Sequence, residues 1–405
     1  MGVLTKINGG VTASRGFSAS GVSAHIKYQD RKDFALIVSD RDATAAGVFT
    51  TNAVAAAPVR LDKSRVQGGV LRAVAVNTGF ANACTGKTGE QNARETAELV
   101  AKTLSISPDH VAVCSTGVIG VNLPMDRIAA GVELASRALA ATPEAAADAA
   151  EAIKTTDTVS KQAARSFLVD GTEVRIGGMC KGAGMIEPYM ATMLGFVTTD
   201  AAVSPADLHE ALVEAANVSF NRIVIDNDRS TNDTLLVLAN GASGVTVAKD
   251  TPAWEAFREA LKEVCLDLAR QMVMDGEGVS KFVTLNVTGA ASDADAQTVA
   301  RSIARSMLVK TSWYGMDPNW GRVLAAAGYS GAHVEERLAR VSYGEIAAFD
   351  RGKVADGDTL AALKEIMKAR SFSVTVDLGL GDGACTLYTS DLTHQYVTIN
   401  ADYTT

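Results

Sequence analysis

The chain of 405 residues is long enough for two or three domains and can bury a large core without disulfides or metals. Apolar residues make up 47% and charged residues 21%, which is ordinary for a globular protein and excludes a disordered or fibrous chain. The formal net charge is −8, and the Lys and Arg residues are scattered. Because nucleic acids and anionic lipids attract clustered basic residues, we expect neither as a partner.

The sequence also bears on the cellular compartment. It contains no run of about 18 apolar residues, which a membrane helix needs, and residues 1–10 lack a basic region followed by an apolar one. The five cysteines are an odd number, widely spaced, and form no C-x-x-C pair. This pattern is typical of reduced, buried thiols and predicts no structural metal site. We therefore expect a cytoplasmic protein.

The first half of the chain alternates short β-branched runs with helical patterns, which predicts an α/β or α+β fold. The runs at residues 33–38, 72–77 and 111–116 favour strands. Apolar residues at helical spacing predict helices over residues 93–104 and 126–139. We expect each of these helices to cover a sheet with one apolar face.

Two later helices have clear start signals. Ser204-Pro205 and Thr251-Pro252 each place a capping hydroxyl before a proline, and the second helix is predicted to end at Asp275-Gly276. The pattern changes beyond this point, which predicts a C-terminal domain boundary near Lys281. The elements predicted there are helices over residues 296–307 and 359–368, and strands over residues 282–287 and 372–376.

Two glycine clusters suggest phosphate binding at first sight, because glycines expose backbone N–H groups. Four glycines surround Lys181 in residues 177–184, but no G-x-x-x-x-G-K-[ST] pattern can be written there. Residues 379–383 lack the dinucleotide-binding spacing and precede a strand-like run. We interpret this second cluster as a hairpin turn, so neither cluster predicts a nucleotide site.

A hydroxyl nucleophile needs a base beside it. The five histidines stand in no G-x-S-x-G context, which argues against a Ser-His-Asp triad. The alternative is a nucleophile that begins a chain, because its α-amino group, with a reference pKa of about 8, can take the hydroxyl proton. Thr192, which follows Ala191 at the start of a strand-like run, suits this chemistry after cleavage. Spacing alone favours ordinary strand packing as the explanation for this threonine.

The residues around Thr192 closely resemble the cleavage and nucleophile motif of the bifunctional ornithine acetyltransferase/N-acetylglutamate synthase family. The motif here is Lys-Gly-Ala-Gly-Met-Ile-Glu-Pro-Tyr-Met-Ala-Thr-Met-Leu, residues 181–194. Further matches cover nearly the whole chain. They are residues 77–86, 115–120, 123–125, 155–158, 219–222, 230–234, 275–278, 317–322 and 399–405.

The resemblance implies that the chain cuts itself between Ala191 and Thr192 and that both products stay together. It implies that Thr192 takes an acetyl group from N-acetylornithine and that glutamate removes it, giving ornithine and N-acetylglutamate. Thr116 and Gly117 are the implied donors to the tetrahedral oxyanion. The resemblance implies no bound cofactor and allows acetyl-CoA as a second acetyl donor.

The setting of the oxyanion pair supports this assignment independently. The buried run at residues 111–114 leads into Ser115-Thr-Gly, which we predict to be a turn that presents a free N–H and a hydroxyl. Both substrates carry carboxylates and amino groups, so their pocket needs charges of both signs. The substrate contacts implied by the resemblance are Thr155, Lys181, Thr192, Glu277, Asn400 and Thr405. Without it, Lys181 would be a solvated loop lysine and Glu277 a turn residue.

The implied fold is an αββα-like sandwich of the ornithine acetyltransferase/aminopeptidase type, with a smaller C-terminal α/β domain. The implied organisation is a first chain of residues 1–191, a segment 192–281 that completes the catalytic domain, and a C-terminal domain of residues 282–405. The two chains are expected to associate as a dimer of heterodimers.

Two other functions stay open on the sequence. An N-terminal-nucleophile aminopeptidase or amidase shares this machinery, because transfer and hydrolysis differ only in whether an amine or water takes the acyl group. A binding or assembly protein could keep the scaffold without catalysis. The presence together of Thr116, Gly117, Lys181, Thr192 and Glu277 favours the acetyltransferase.

Overall fold

The computed structural model describes residues 4–187 and 193–402. These residues form two compact units. The first contains residues 4–187, 193–221 and 228–272, and the second contains residues 222–227 and 273–402. The functional division at residues 191 and 281 stays a prediction.

Strands and helices alternate along the described chain. The strands are β1 (Thr5–Lys6), β2 (Phe17–Val22), β3 (Phe34–Phe49), β4 (Val70–Phe80), β5 (Val111–Val118), β6 (Lys161–Val169), β7 (Thr172–Lys181), β8 (Leu194–Thr199), β9 (Ala202–Val203), β10 (Ile223–Val224), β11 (Thr234–Ala239), β12 (Thr246–Val247), β13 (Phe282–Ala290), β14 (Arg340–Tyr343), β15 (Ile346–Asp350), β16 (Lys353–Val354), β17 (Ser371–Asp377) and β18 (Gly383–Ser390). The helices are α1 (Ala57–Gln67), α2 (Gly86–Leu104), α3 (Met125–Arg137), α4 (Pro143–Ala152), α5 (Pro205–Val218), α6 (Pro252–Met274), α7 (Asp293–Arg305), α8 (Met307–Tyr314), α9 (Trp320–Gly328), α10 (Gly357–Lys368) and α11 (His394–Asp402).

The first unit is built on one nine-stranded sheet, in the order β1-β6-β7-β8-β11-β3-β4-β5, with β2 paired to β3 beside this path. Strand β3 is 16 residues long and joins the two halves of the sheet. Its first part pairs with β2 and β4, and its last part pairs with β11, from Thr44 to Phe49. Its pairing with β4 shifts in register between Val38 and Ala43, and such an irregularity allows a strand to bend.

The two halves of this sheet pack face to face. Successive strand residues point to opposite faces, so in β4 Ala73 lies in the core under α2 and α3, whereas Val74 lies in the inner core. The same inner core contains Met179 of β7, Phe196 of β8 and Leu236 of β11. Because strands of both halves share one core and α2 and α3 pack on the opposite face of β4, the αββα-like sandwich is confirmed.

Helix α6 covers the outer face of the second half of the sheet. The guanidinium of Arg165 in β6 donates to Glu263 at 2.7 Å and also bonds Asp267, both on α6. The amide of Gln271 donates to the carbonyl oxygen of Gln162 at 3.1 Å. These contacts tie the helix to β6, which pairs with β7.

Most predicted elements of the first unit are confirmed. The three predicted strands correspond to β3, β4 and β5, although each is longer than predicted. Helix α2 begins at Gly86 instead of residue 93, because its first two turns are polar and carry no apolar periodicity. Both predicted caps are present: Ser204 Oγ accepts from the Asp207 amide at 3.2 Å, and Thr251 Oγ1 accepts from the Trp254 amide at 3.3 Å.

The second unit contains a seven-stranded sheet in the order β10-β18-β13-β17-β14-β15-β16. Its helices and sheet share one core around Trp313, which confirms a smaller C-terminal α/β unit. The hairpin predicted at residues 379–383 is wrong, because β13 lies between β17 and β18. The loop instead passes the end of β13, where Leu380 and Gly381 donate their amides to the carbonyl oxygen of Gly289.

Candidate active site

Thr116 and Gly117 lie inside strand β5, which continues to Val118. The turn predicted at Ser115-Thr-Gly is therefore wrong. Strand β4 runs beside these residues in parallel, pairing Thr78 with Thr116 and Gly79 with Gly117, so the polar run keeps a strand partner. The hydroxyl of Ser115 donates to Asn77 Oδ1 at 2.6 Å, which adds a side-chain hydrogen bond between β5 and β4.

Strands β4 and β5 approach closely at Gly117. Its φ of 128° lies in the region that favours glycine. A Cβ built there would lie 2.3 Å from the carbonyl carbon of Gly79 and 2.7 Å from the amide nitrogen of Phe80, a distance that no real Cβ adopts. Position 117 therefore needs glycine both for its backbone conformation and for the space beside β4.

Lys181 contacts Thr116 directly. It is the last residue of β7, and its ammonium donates to the Thr116 hydroxyl oxygen at 3.2 Å. Both residues are buried, with 9% and 8% of their surface exposed. The solvated-loop explanation for Lys181 is therefore wrong. Because the ammonium occupies a lone pair of the Thr116 oxygen, the hydroxyl proton of Thr116 is left to donate elsewhere.

A buried carboxylate, Asp157, balances the charge of this lysine. It accepts from Lys161 Nζ and from the Gly182 amide, both at 2.7 Å, and from the Thr155 amide at 3.1 Å. Burial alone would raise the pKa of Asp157, but the ammonium groups of Lys181 and Lys161 outweigh it and hold this pKa well below its usual range. Asp157 is therefore ionised at neutral pH.

The Thr155 backbone is fixed from two sides. Its amide donates to Asp157, and its carbonyl oxygen accepts from the guanidinium of Arg31 at 3.0 Å. The same guanidinium also bonds the carbonyl oxygen of Lys154. The structure thus brings together three predicted site residues, Thr116, Lys181 and Thr155, around Asp157.

Asp233 is a further polar residue of this region that sequence reasoning did not single out. Its side chain is fully buried, and its Oδ1 atom has no hydrogen-bond partner among the described residues. The donors nearest the carboxyl are the Ser230 hydroxyl, the Met193 amide and the Thr50 hydroxyl, and Lys181 acts on it electrostatically. The motif at residues 230–234 could have indicated it, although only as part of a family pattern.

Glu277 and Asn400 lie in the second unit and contact each other. The side-chain amide of Asn400 donates to Glu277 Oε2 at 2.7 Å and to the Tyr396 carbonyl oxygen at 3.0 Å. Glu277 is 8% exposed, whereas Asn400 is exposed on α11. The predicted cleavage residues Ala191 and Thr192, and the predicted contact Thr405, lie outside the described residues.

The described part of the chain places no group of three His, Cys, Asp or Glu side chains that could hold a metal ion. Among the helices that the structure describes, none combines the length and apolar character needed to cross a membrane.

Comparison with known proteins identifies the family of the chain. The ArgJ family model matches residues 18–405. The chain belongs to the ArgJ family. The arginine biosynthesis bifunctional protein ArgJ of Geobacter sulfurreducens is 50% identical over 96% of this chain and 99% of the relative, and that of Bacillus subtilis is 42% identical over 99% and 98%.

Solved structures of related proteins match part of the chain. Ornithine acetyltransferase of Mycobacterium tuberculosis, solved in complex with ornithine, is 43% identical with a TM-score of 0.44. The match covers 47% of this chain and 100% of the solved chain. The ArgJ protein of Bacillus halodurans is also 43% identical, with a TM-score of 0.45 and the same coverage.

Replacing Gly117 by alanine tests the close approach of β4 and β5. We expect Gly117→Ala to destabilise the protein by about 2 kcal/mol or more, because both the φ angle and the space beside Gly79 forbid a Cβ. Urea unfolding followed by circular dichroism measures the effect. Gly171→Ala is the matched control, since its φ is 81° but a Cβ there meets nothing within 4 Å. Equal losses for the two variants would contradict the close approach.

Replacing Asp157 by asparagine tests the charge balance around Lys181. We expect Asp157→Asn to cost roughly 3 to 5 kcal/mol at pH 7, because two buried ammonium groups lose their counter-ion. Since the folded pKa is depressed, the contribution is fully present above the unfolded pKa of about 3.9 and is lost as pH falls through the folded pKa. Unfolding free energies measured from pH 7 downwards should therefore converge for wild type and variant only in strong acid.

The exposed ion pair of Asp40 with Arg41 provides the control for this experiment. We expect Asp40→Asn to change stability by less than about 1 kcal/mol, because solvent screens such pairs. A loss at Asp157 no larger than the loss at Asp40 would mean that the buried lysines are balanced by other groups.

Proposed function

We propose that this protein transfers the acetyl group of N-acetylornithine to glutamate through an acetyl ester on Thr192. Two findings support the proposal: membership of the ArgJ family and the buried hydrogen bond from Lys181 to Thr116. This hydrogen bond is the observation that carries the proposal. It lies at the end of β7, the strand from which the chain leads towards residue 192, and it leaves the Thr116 hydroxyl proton to donate to another acceptor.

The chemistry divides into two matching halves. In the first, Thr192 Oγ bonds to the acetyl carbon, and the α-amino group of Thr192 takes the hydroxyl proton. The carbon–nitrogen bond then breaks, and the proton passes to the leaving amine of ornithine. In the second half, the amine of glutamate attacks the ester and restores the Thr192 hydroxyl. Water in place of glutamate would make the same site a hydrolase.

Each half passes through a tetrahedral intermediate with a negative oxygen. We assign its stabilisation to the Thr116 hydroxyl and the Gly117 backbone. Lys181 strengthens the Thr116 donor, because an ammonium bonded to the hydroxyl oxygen polarises its O–H bond. The two strands that hold this pair are already fixed before substrate arrives, so little reorganisation accompanies the charge.

The remaining assignments concern self-cleavage, substrate contacts and assembly. The chain cuts itself between Ala191 and Thr192 and thereby frees the amine that the transfer needs. Thr155, Lys181, Glu277, Asn400 and Thr405 contact the substrates. The two chains stay together as a dimer of heterodimers in the cytoplasm. No cofactor is needed, and acetyl-CoA serves as a second acetyl donor if the protein also synthesises N-acetylglutamate directly.

A denaturing intact-mass measurement tests the cut and the acyl-enzyme together. We expect purified, untagged protein to give two chains that divide between Ala191 and Thr192. After brief exposure to N-acetylornithine and acid quenching, the chain that begins with Thr192 should gain the mass of one acetyl group. Glutamate should remove that mass and produce N-acetylglutamate, whereas release of acetate without glutamate would indicate a hydrolase.

Two threonine variants make this measurement specific. Thr192→Ala should stay uncut and unacetylated, because it lacks the hydroxyl that forms the ester. Thr172→Ala, at the exposed start of β7, should behave as wild type. An uncut wild-type chain that gains no acetyl group would refute the assignment of Thr192.

A further inference from the structure

The proposed mechanism leaves one step without a base. The α-amino group of Thr192 activates its hydroxyl only after the chain has been cut, because before the cut this nitrogen is part of a peptide bond. Self-cleavage must nevertheless remove a proton from the hydroxyl and supply one to the leaving nitrogen. Another group near position 192 therefore has to carry the proton in the uncut chain.

Asp233 is placed beside the residue that follows Thr192. Strands β8 and β11 are parallel and pair Leu194 with Thr234, so residues 193 and 233 face each other at the strand entrance. The amide of Thr234 donates to the Met193 carbonyl oxygen at 2.9 Å, and the amide of Met193 donates to the Asp233 carboxyl. Both backbone polar groups of Met193 are thus held by two consecutive residues, one peptide bond away from Thr192.

The same segment is tied to the predicted oxyanion donors. The side-chain amide of Asn232 donates to the Ser115 carbonyl oxygen at 2.8 Å and to the Ala81 carbonyl oxygen at 2.6 Å. Lys181, which bonds Thr116, is the charged group that acts on Asp233. The carboxyl therefore lies among β5, β7 and β8, all in the first unit.

The Asp233 carboxyl has the properties of a proton carrier. Burial raises its pKa well above the usual range, and the opposing effects of the Ser230, Met193 and Thr50 donors and of Lys181 do not reverse this. A neutral carboxyl offers one O–H donor and one acceptor oxygen. Its Oδ1 atom is buried without a partner among the described residues, which costs stability, so a functional role is one explanation for its presence.

We propose that Asp233 transfers the proton during self-cleavage, taking it from the Thr192 hydroxyl and giving one to the Thr192 nitrogen. This inference rests on the proposed cleavage between Ala191 and Thr192. One carboxyl oxygen accepts the hydroxyl proton as Thr192 Oγ bonds to the Ala191 carbonyl carbon. The other oxygen donates its proton to the nitrogen as the peptide bond breaks, so the carboxyl ends protonated as it began.

Water completes the cleavage. The first step leaves Ala191 joined to Thr192 through an ester, with a free amine on Thr192. Water then adds its hydroxyl to the Ala191 carbonyl carbon and its proton to Thr192 Oγ. The products are a carboxyl group at Ala191 and an amino-terminal threonine with its hydroxyl restored. From that point the new amine replaces Asp233 as the base.

Cleavage should be followed in freshly synthesised protein, because slow variants can finish cutting during purification. Full-length chain made by cell-free translation is sampled over time, acid-quenched and weighed by denaturing mass spectrometry at several pH values. We expect the cleavage rate of Asp233→Asn to be at least about 100-fold lower than that of wild type, because general acid–base catalysis contributes a factor of this order or more. Asp233→Glu should restore part of the rate.

Two further variants separate proton transfer from structural support. Ser230→Ala removes a donor that stabilises the Asp233 carboxylate, so it should raise that pKa and move the high-pH fall of the cleavage rate to higher pH. Asp62→Asn is the matched control. Burial raises the pKa of Asp62 to about 7, and this carboxyl accepts from the Val113 amide and the Cys114 thiol of β5, not from Met193. We expect its cleavage rate and pH profile to match wild type.

The outcomes distinguish the inference from the proposed function. If wild type itself stays uncut, the proposed cleavage fails. If wild type cuts and Asp233→Asn cuts equally fast, the role of Asp233 is wrong. If Asp233→Asn does not fold, the Ser230→Ala profile decides: a shift to higher pH supports proton transfer by Asp233, and an unshifted profile overturns it.

Discussion

The hydrogen bond between the Lys181 ammonium and the Thr116 hydroxyl is the constraint on which the candidate site depends. An ammonium that is almost fully removed from water needs both acceptors and a counter-charge. The Thr116 oxygen is one such acceptor, and Asp157 supplies the negative charge. Asp157 in turn binds the amides of Thr155 and Gly182, so the backbone on both sides is fixed by the same ion. One buried charge thereby organises three separate segments.

This contact is also a measure of how the sheet is folded. Four strands separate β7 from β5 in the hydrogen-bonded order, and neighbouring strands lie about 4.8 Å apart. In a flat sheet the two strands would therefore be roughly 24 Å apart, far beyond the reach of a lysine side chain. The 3.2 Å distance requires the two halves to lie face to face. The length of β3 and its register shift make this geometry possible, because one strand serves both halves.

Local patterns predicted the elements well and the long-range pairings poorly. Apolar periodicity located β3, β4 and β5, and the hydroxyl-proline pairs located the starts of α5 and α6. Residues 379–383 were predicted as a hairpin because a glycine loop before a strand carries no information about β13, which pairs between β17 and β18. The local pattern predicts a turn at Thr116 and Gly117 for the same reason, since β4 supplies their partner from far away in the sequence.

The candidate site is predicted from short sequence motifs that match a family. The structure adds the burial and the charged neighbours of each residue, which such motifs do not contain. Nothing local in the sequence distinguishes Asp157 from Asp233, and both are buried near Lys181. Their pKa values nevertheless shift in opposite directions. Two ammonium groups hold the pKa of Asp157 low and keep it ionised, whereas burial raises the pKa of Asp233 against the opposing effects of its hydroxyl and amide donors and of Lys181. The sequence could not show this difference, because it depends on which strands the fold brings together.

Opposite shifts of this kind are the usual sign that two acidic groups have different tasks. In the proposed mechanism the Lys181 ammonium lies beside Thr116, where a negative oxygen develops. Asp233 adds no negative charge to oppose this ammonium while it keeps its proton. Under the proposed mechanism a protonated Asp233 therefore serves two purposes at once: it exchanges a proton with the uncut chain, and it places no negative charge near the proposed oxyanion.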